Sequence, residues 1–112
     1  MKVLVANPWV ALFIAGLLEV AWATAFKFAF RSNHALTAFT LTAMVGSFWL
    51  LSLAMRTLPV GTAYAVWTGV GAAGAAILGV LLYREPVNAI RILSIAAIIG
   101  GVAGLRVSGG GH

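Results

Sequence analysis

Residues 9–28 read WVALFIAGLLEVAWATAFKF, an apolar run with one acidic residue, Glu19, near its middle and Lys27 at its end. Roughly 20 apolar residues in helical conformation cross the hydrocarbon of a bilayer, so this run is the length of one membrane span. Trp9 and Pro8 mark its entry, and Lys27, Arg31, Ser32 and Asn33 close it. Trp9 stands where an interfacial aromatic belongs. Working outward, three more runs of the same character follow, over about 35–55, 59–83 and 87–107. The second has no charge; its polar content is Ser47, Ser52 and three threonines, whose hydroxyls can bond back to their own helix. Pro59 opens the third, where its missing N–H matters little, and Arg84-Glu85-Pro86 closes it. The fourth ends in a Gly-rich stretch, 108–112, expected to be a flexible tail.

Composition agrees with this pattern. Of 112 residues, 62% are hydrophobic and 8% charged, with mean hydropathy +1.07, a balance that lipid tolerates and a water-facing surface does not. Four spans and tight turns use nearly all of the chain, which excludes a soluble catalytic domain and predicts a single all-α, four-helix transmembrane domain. Short connections predict that successive helices are antiparallel neighbours packed side by side, up-down-up-down. Ala23-Thr24-Ala25 after Lys2 mimics a signal-peptidase site, but the run is too long for a signal peptide, holds Glu19, and precedes three further spans. The net charge of +5 comes from basic residues spread along the chain, which read as headgroup anchors and not as a nucleic-acid patch. Lys2, Arg56 and Arg106 fall on one side and Lys27, Arg31, Arg84 and Arg91 on the other, three against four, so the positive-inside bias has almost nothing to act on. The expectation is insertion in both orientations and pairing of oppositely oriented copies.

The third span carries Gly69, Gly71, Gly74 and Gly79 with Ala72, Ala73, Ala75 and Ala76 among them. Such density weakens a helix and lets backbones approach, so Gly69, Gly71 and Gly74 are a candidate hinge, with close packing as the alternative. Gly100 and Gly104 in the fourth span form a Gly-x-x-x-Gly pair, a candidate dimer contact.

Glu19 is the centre of the chemistry. An ionised carboxylate facing hydrocarbon is expensive, so it must face a partner, a protein interior or a watered cavity. No basic residue lies deep enough in the spans to pair with it permanently. Such a carboxyl can carry a proton and surrender it when a cation approaches; the alternative is a permanently protonated acid that bonds another helix. Spacing puts Gly16, Glu19 and Trp22 on one face of the first helix, and Tyr64, Trp67, Thr68 and Gly71 on one face of the third. Aromatic faces attract cations, and indole N–H or phenol O–H groups can bond a carboxylate. Trp49, Phe26 and Phe28 read instead as packing or interfacial residues, and Glu85 as a surface partner of its neighbour Arg84 or of another subunit. His34 and His112 have no ligand company and cysteine is absent, so neither a metal site nor a cofactor is expected. No nucleophile triad, phosphate loop or dinucleotide fingerprint appears, which argues against an enzyme.

Taken together, Gly-Leu-Leu-Glu19-Val-Ala-Trp22-Ala, then Leu58-Pro-Val-Gly-Thr-Ala-Tyr64-Ala-Val-Trp67-Thr-Gly-Val-Gly71, then Arg84-Glu85-Pro86, resemble the small multidrug resistance family of bacterial proton-coupled exporters. The likeness runs from about Trp9 to Arg106. It implies an antiparallel, dual-topology homodimer in the bacterial inner membrane whose two central glutamates form one site open alternately to each side. Trp22, Ser47 in Gly-Ser-Phe-Trp, the Thr57-Leu-Pro-Val-Gly-Thr run and Arg84-Glu85-Pro86 resemble the guanidinium-exporter subtype more than the quaternary-ammonium multidrug subtype, which is the alternative. By that resemblance Glu19 binds either protons or the substrate cation, and Trp22, Ser47, Tyr64 and Trp67 orient it. A planar guanidinium with its fork of N–H donors suits a carboxylate so framed.

Overall fold

A computed structural model describes residues 7–31 and 33–108; Lys2, Ser32 and the last four residues of the expected tail, His112 among them, lie outside the described residues. Four helices run α1 (Pro8–Ala25), α2 (His34–Ala54), α3 (Val60–Tyr83) and α4 (Ala89–Val107), each long and apolar enough to cross a membrane. Three open on an asparagine whose side chain accepts from the first-turn amides: Asn7 from Trp9 at 3.1 Å, Asn33 from Leu36 at 3.0 Å, and Asn88 from Arg91 at 2.8 Å. These caps satisfy donors that lipid would leave unpaired. Pro59 itself stands just before α3, and its carbonyl accepts from Ala63 at 2.9 Å.

Helix α1 stops at Ala25, short of the expected Phe28, because residues 26–30 form a turn instead of a last helical stretch. Phe30 there takes a left-handed backbone with φ 68°, and its N–H donates to Thr37 Oγ1 at 2.9 Å. That bond ties the turn to α2. Helix α4 begins at Ala89, two residues later than expected, because Val87 and Asn88 are spent on the link and the cap.

Contacts give the direction of each helix. Gly16, Glu19 and Val20 of α1 lie against Val70, Gly71 and Gly74 of α3, so these two helices run parallel. Ser47 of α2 bonds Ala15 while Thr37 bonds Phe30 in the turn that follows α1, so α2 runs antiparallel to α1. Gly69 meets Val102 and Ala76 meets Arg91, so α4 runs antiparallel to α3. The order is up-down-up-down, but the expectation that every successive pair packs side by side needs correction. Helix α1 packs on both α2 and α3, which touch each other little, and α4 packs on α3 alone. Gly16, Gly71 and Gly74 give the physical reason: their missing side chains let α1 sink against α3 and occupy the place between α2 and α3. The result is a slab of helices 19 Å through its thinnest dimension.

The densest core lies in one half of this slab, where Ala11, Leu12 and Ala15 meet Leu50, Leu51, Ala54, Ala63, Val66 and Trp67. Helix α4 has no buried residue, and Ile90, Leu93 and Val107 are largely exposed. In a membrane chain this surface faces lipid or another protein. Helix α3 is uninterrupted through Gly69, Gly71 and Gly74, each of which sits where a neighbouring side chain presses close.

An added Cβ at Gly16 would stand 2.6 Å from Val70 Cγ1. Gly16→Leu should therefore lose about 1–3 kcal/mol, read as a lower denaturation midpoint in detergent, while Gly61→Ala, with nothing within 4 Å of the new methyl, loses none. An unchanged midpoint for Gly16→Leu would contradict the tight α1–α3 crossing.

Candidate functional site

The α1–α3 crossing places Glu19. A side chain at Gly71 would overlap the Glu19 carboxyl, so that glycine makes the room into which the acid fits. One carboxyl oxygen, Oε1, is buried there without a hydrogen-bond partner. On the next turn of the same helix Trp22 Nε1 is also buried and unpartnered. An orphaned acceptor and an orphaned donor in low dielectric are both unfavourable. A ligand carrying N–H groups could satisfy the Glu19 oxygen, whereas the Trp22 N–H, itself a donor, needs an acceptor.

The other expected residues form a second, self-satisfied unit beside the acid. Ser47, fully buried, donates to the Ala15 carbonyl at 2.7 Å and accepts from Trp67 Nε1 at 3.0 Å. This relay crosses three helices: the α1 backbone, the α2 hydroxyl and the α3 indole. It satisfies all three groups and fixes the Trp67 ring, which is 6% exposed. Tyr64 packs its ring on Trp67 at 5.6 Å between centroids and is 52% exposed. Thr68 donates to the Tyr64 carbonyl, back-bonding within α3. Thus neither the Trp67 indole nor the Ser47 hydroxyl bonds Glu19 in this arrangement; both are spent on each other and on α1.

Phe48 is a component that the sequence reading did not single out. Its ring lies 6.2 Å from Trp22 and 5.6 Å from Trp67, joining the two tryptophans into one aromatic path with Tyr64 at one end and Phe26 at the other. Its adjacency to Ser47 in Gly-Ser-Phe-Trp was the available signal. Trp49, its neighbour, is exposed on the slab surface, outside the packed core.

The second acid also has a different partner from the one expected. Glu85 pairs with Arg91 at 2.8 Å, and Arg91 donates to the Ala76 carbonyl at 3.0 Å, so the link folds back and binds the start of α4 to α3. Arg84 instead ends α3 in a left-handed turn with φ 54°. Adjacent side chains diverge at such a turn, whereas a residue one helical turn into α4 comes within reach. At the same membrane boundary the Tyr83 hydroxyl donates to the Thr24 carbonyl at 2.6 Å and Lys27 stands 4.5 Å above the Tyr83 ring. Among the described residues no three His, Cys, Asp or Glu side chains gather where they could hold a metal ion.

A family model described as Small Multidrug Resistance protein matches residues 7–98. Relatives named "Guanidinium exporter" include one from Salmonella typhimurium strain LT2, 54% identical over 101 residues, and one from Escherichia coli K12, 52% identical over 101 residues. Another, from Citrobacter freundii, is 51% identical over 105 residues. In each case the match spans 89% of this chain and 96% of the relative.

Removing the Ser47 hydroxyl leaves the Trp67 N–H and the Ala15 carbonyl without their partner, so Ser47→Ala should lose about 1–3 kcal/mol of stability. In a double-mutant cycle with Trp67→Phe the two losses should couple by more than about 0.5 kcal/mol. Strictly additive losses in a denaturation series would mean that the two side chains do not bond.

Proposed function

The chain belongs to the small multidrug resistance family, and from that premise we propose that it exports guanidinium or a related guanidinyl cation in exchange for protons, both competing for Glu19. The observation that carries this reading is the Glu19 oxygen buried without a donor, one helical turn from Trp22. A guanidinium offers several N–H donors in one plane and can bridge to a carboxylate through two of them. A bulky quaternary ammonium offers none. The names of the relatives support the smaller, donor-rich cation.

In this reading the functional unit is an antiparallel homodimer in the bacterial inner membrane. The nearly even distribution of basic residues supports insertion in both orientations. A single slab supplies one wall of a site, with Tyr64 and Phe48 open at its side, and a second copy turned over supplies the opposite wall and a second Glu19. Gly100 and Gly104, where added side chains would meet open space, are the contact we assign to α4 of the partner.

Exchange follows from exclusive occupancy. When Glu19 is protonated it has no charge for the cation. When the cation binds, the proton has left. If the site turns from one side to the other only when occupied, protons moving down their gradient carry the cation out. Trp22, Ser47, Tyr64 and Trp67 orient the carboxylate and the planar cation, with the Ser47–Trp67 relay keeping one aromatic wall fixed. Gly69, Gly71 and Gly74 are the segment we assign to bending as the facing changes, since close approach through glycines can be remade at another angle with little steric hindrance.

In proteoliposomes an imposed pH gradient should drive guanidinium accumulation by the wild type, and Glu19→Gln should abolish it. Apparent guanidinium affinity should weaken as pH is lowered, because the proton and the cation compete. Proton-independent flux of normal size in Glu19→Gln would overturn the assignment, and stronger transport of a bulky aromatic ammonium than of guanidinium would overturn the substrate. Cysteine labelling of the C-terminus should find it on both sides of the membrane; labelling from one side alone would rule out dual topology.

A further inference from the structure

A groove of about 400 Å³ runs between α1, α3 and α4, lined by Phe13, Val70, Ala73, Ile99, Val102 and, at its end, Arg106. A smaller hollow of about 250 Å³ adjoins it and reaches Trp9. Gly69 explains why the groove exists: Val102 presses onto its bare backbone, which draws α4 to α3 along one line and leaves a channel beside it. From Ile99 to Arg106 the groove follows about 10 Å of helix axis, from the hydrocarbon toward the membrane surface. Its walls are otherwise apolar.

The mouth differs from the rest. Arg106 lies over the Trp9 ring, its guanidinium carbon 4.8 Å from the ring centroid. Stacking holds the guanidinium by its face and leaves its N–H edges for a planar or tetrahedral anion. Among the described residues the ion pair is Glu85 with Arg91, so Arg106 has no acidic partner there. An interfacial tryptophan, an unneutralised arginine and a hydrocarbon-lined channel below them match the parts of an anionic lipid in order of depth.

From this geometry we infer that the α1–α3–α4 groove is a binding site for an anionic glycerophospholipid, one acyl chain lying along Phe13, Val70, Ile99 and Val102 and the phosphate held by Arg106 on Trp9. A second copy of the chain is the competing occupant, and helix geometry disfavours it. At 3.6 residues per turn, Ile99, Val102 and Arg106 share one side of α4. Gly100 and Gly104, assigned above to the partner, face well away from it. A dimer formed through the glycines leaves the groove to lipid. In an antiparallel pair the two grooves open to opposite leaflets, one Arg106 at each surface.

The test is native mass spectrometry of the full-length protein in detergent, with phosphatidylglycerol and phosphatidylethanolamine of equal chain length added in turn. The expected result is preferential retention of phosphatidylglycerol by about fivefold, the effect of one basic side chain near an anionic headgroup. Arg106→Gln should remove that preference while leaving weak retention of both lipids. Ala103→Phe, which fills the groove without touching the charge, should reduce retention of both. Equal retention of the two lipids by wild type, or unchanged phosphatidylglycerol binding in both variants, overturns the site. So does loss of the dimer in Ala103→Phe with no lipid bound to wild type, since the groove is then covered by the second copy. Guanidinium transport is not needed for any of these readouts, so the lipid site stands or falls apart from the transport reading.

Discussion

A carboxyl in hydrocarbon has no water to turn to, and the arrangement of this chain follows from where that carboxyl is lodged. Glu19 fits against α3 because residue 71 has no side chain. Gly16 and Gly74 extend the same close approach to either side, so three glycines, two of them on α3, bring α1 and α3 into parallel contact. With α1 drawn into the middle, α2 and α3 flank it and α4 is left on the outside. The position of one acid and the order of the helices are therefore two expressions of one steric fact.

Polar groups around that crossing divide into two kinds. Ser47, Trp67 and the Ala15 carbonyl satisfy one another. In a low-dielectric interior such a closed relay is rigid, because breaking any bond leaves a buried group unpaired. Glu19 Oε1 and Trp22 Nε1 are left open. Phe48 lies between the two, its ring in contact with Trp22 on one side and Trp67 on the other.

Charge plays a different role at the membrane boundaries. The Glu85–Arg91 pair and the Arg91 bond to the Ala76 carbonyl secure the α3–α4 link, and Lys27 over Tyr83 gathers α1 and α3 at the same surface. At the opposite surface Arg106 rests on Trp9, with no acidic partner among the described residues. The difference is physical: a neutralised arginine holds protein to protein, while stacking on an indole leaves a guanidinium's N–H edges uncovered. These contacts leave α4 attached along a single neighbour, with most of its surface available to its surroundings.

Hydropathy and length alone determined that the chain is four membrane helices, because no other backbone arrangement of such apolar runs satisfies its hydrogen bonds in lipid. The sequence also singled out Glu19, since a lone acid within a span is costly wherever it points, and the motifs around Trp22, Tyr64 and Trp67 were enough to suggest the family that the comparisons identify. Periodicity places residues on a face of their own helix but does not say which neighbour that face meets. That is why the α1-centred order, Phe48 between two tryptophans, Arg91 as the partner of Glu85, and the bonding of Ser47 to Trp67 instead of to Glu19 were legible only in three dimensions. Each depends on how closely two backbones approach, and that distance is set jointly by a glycine on one helix and a side chain on another.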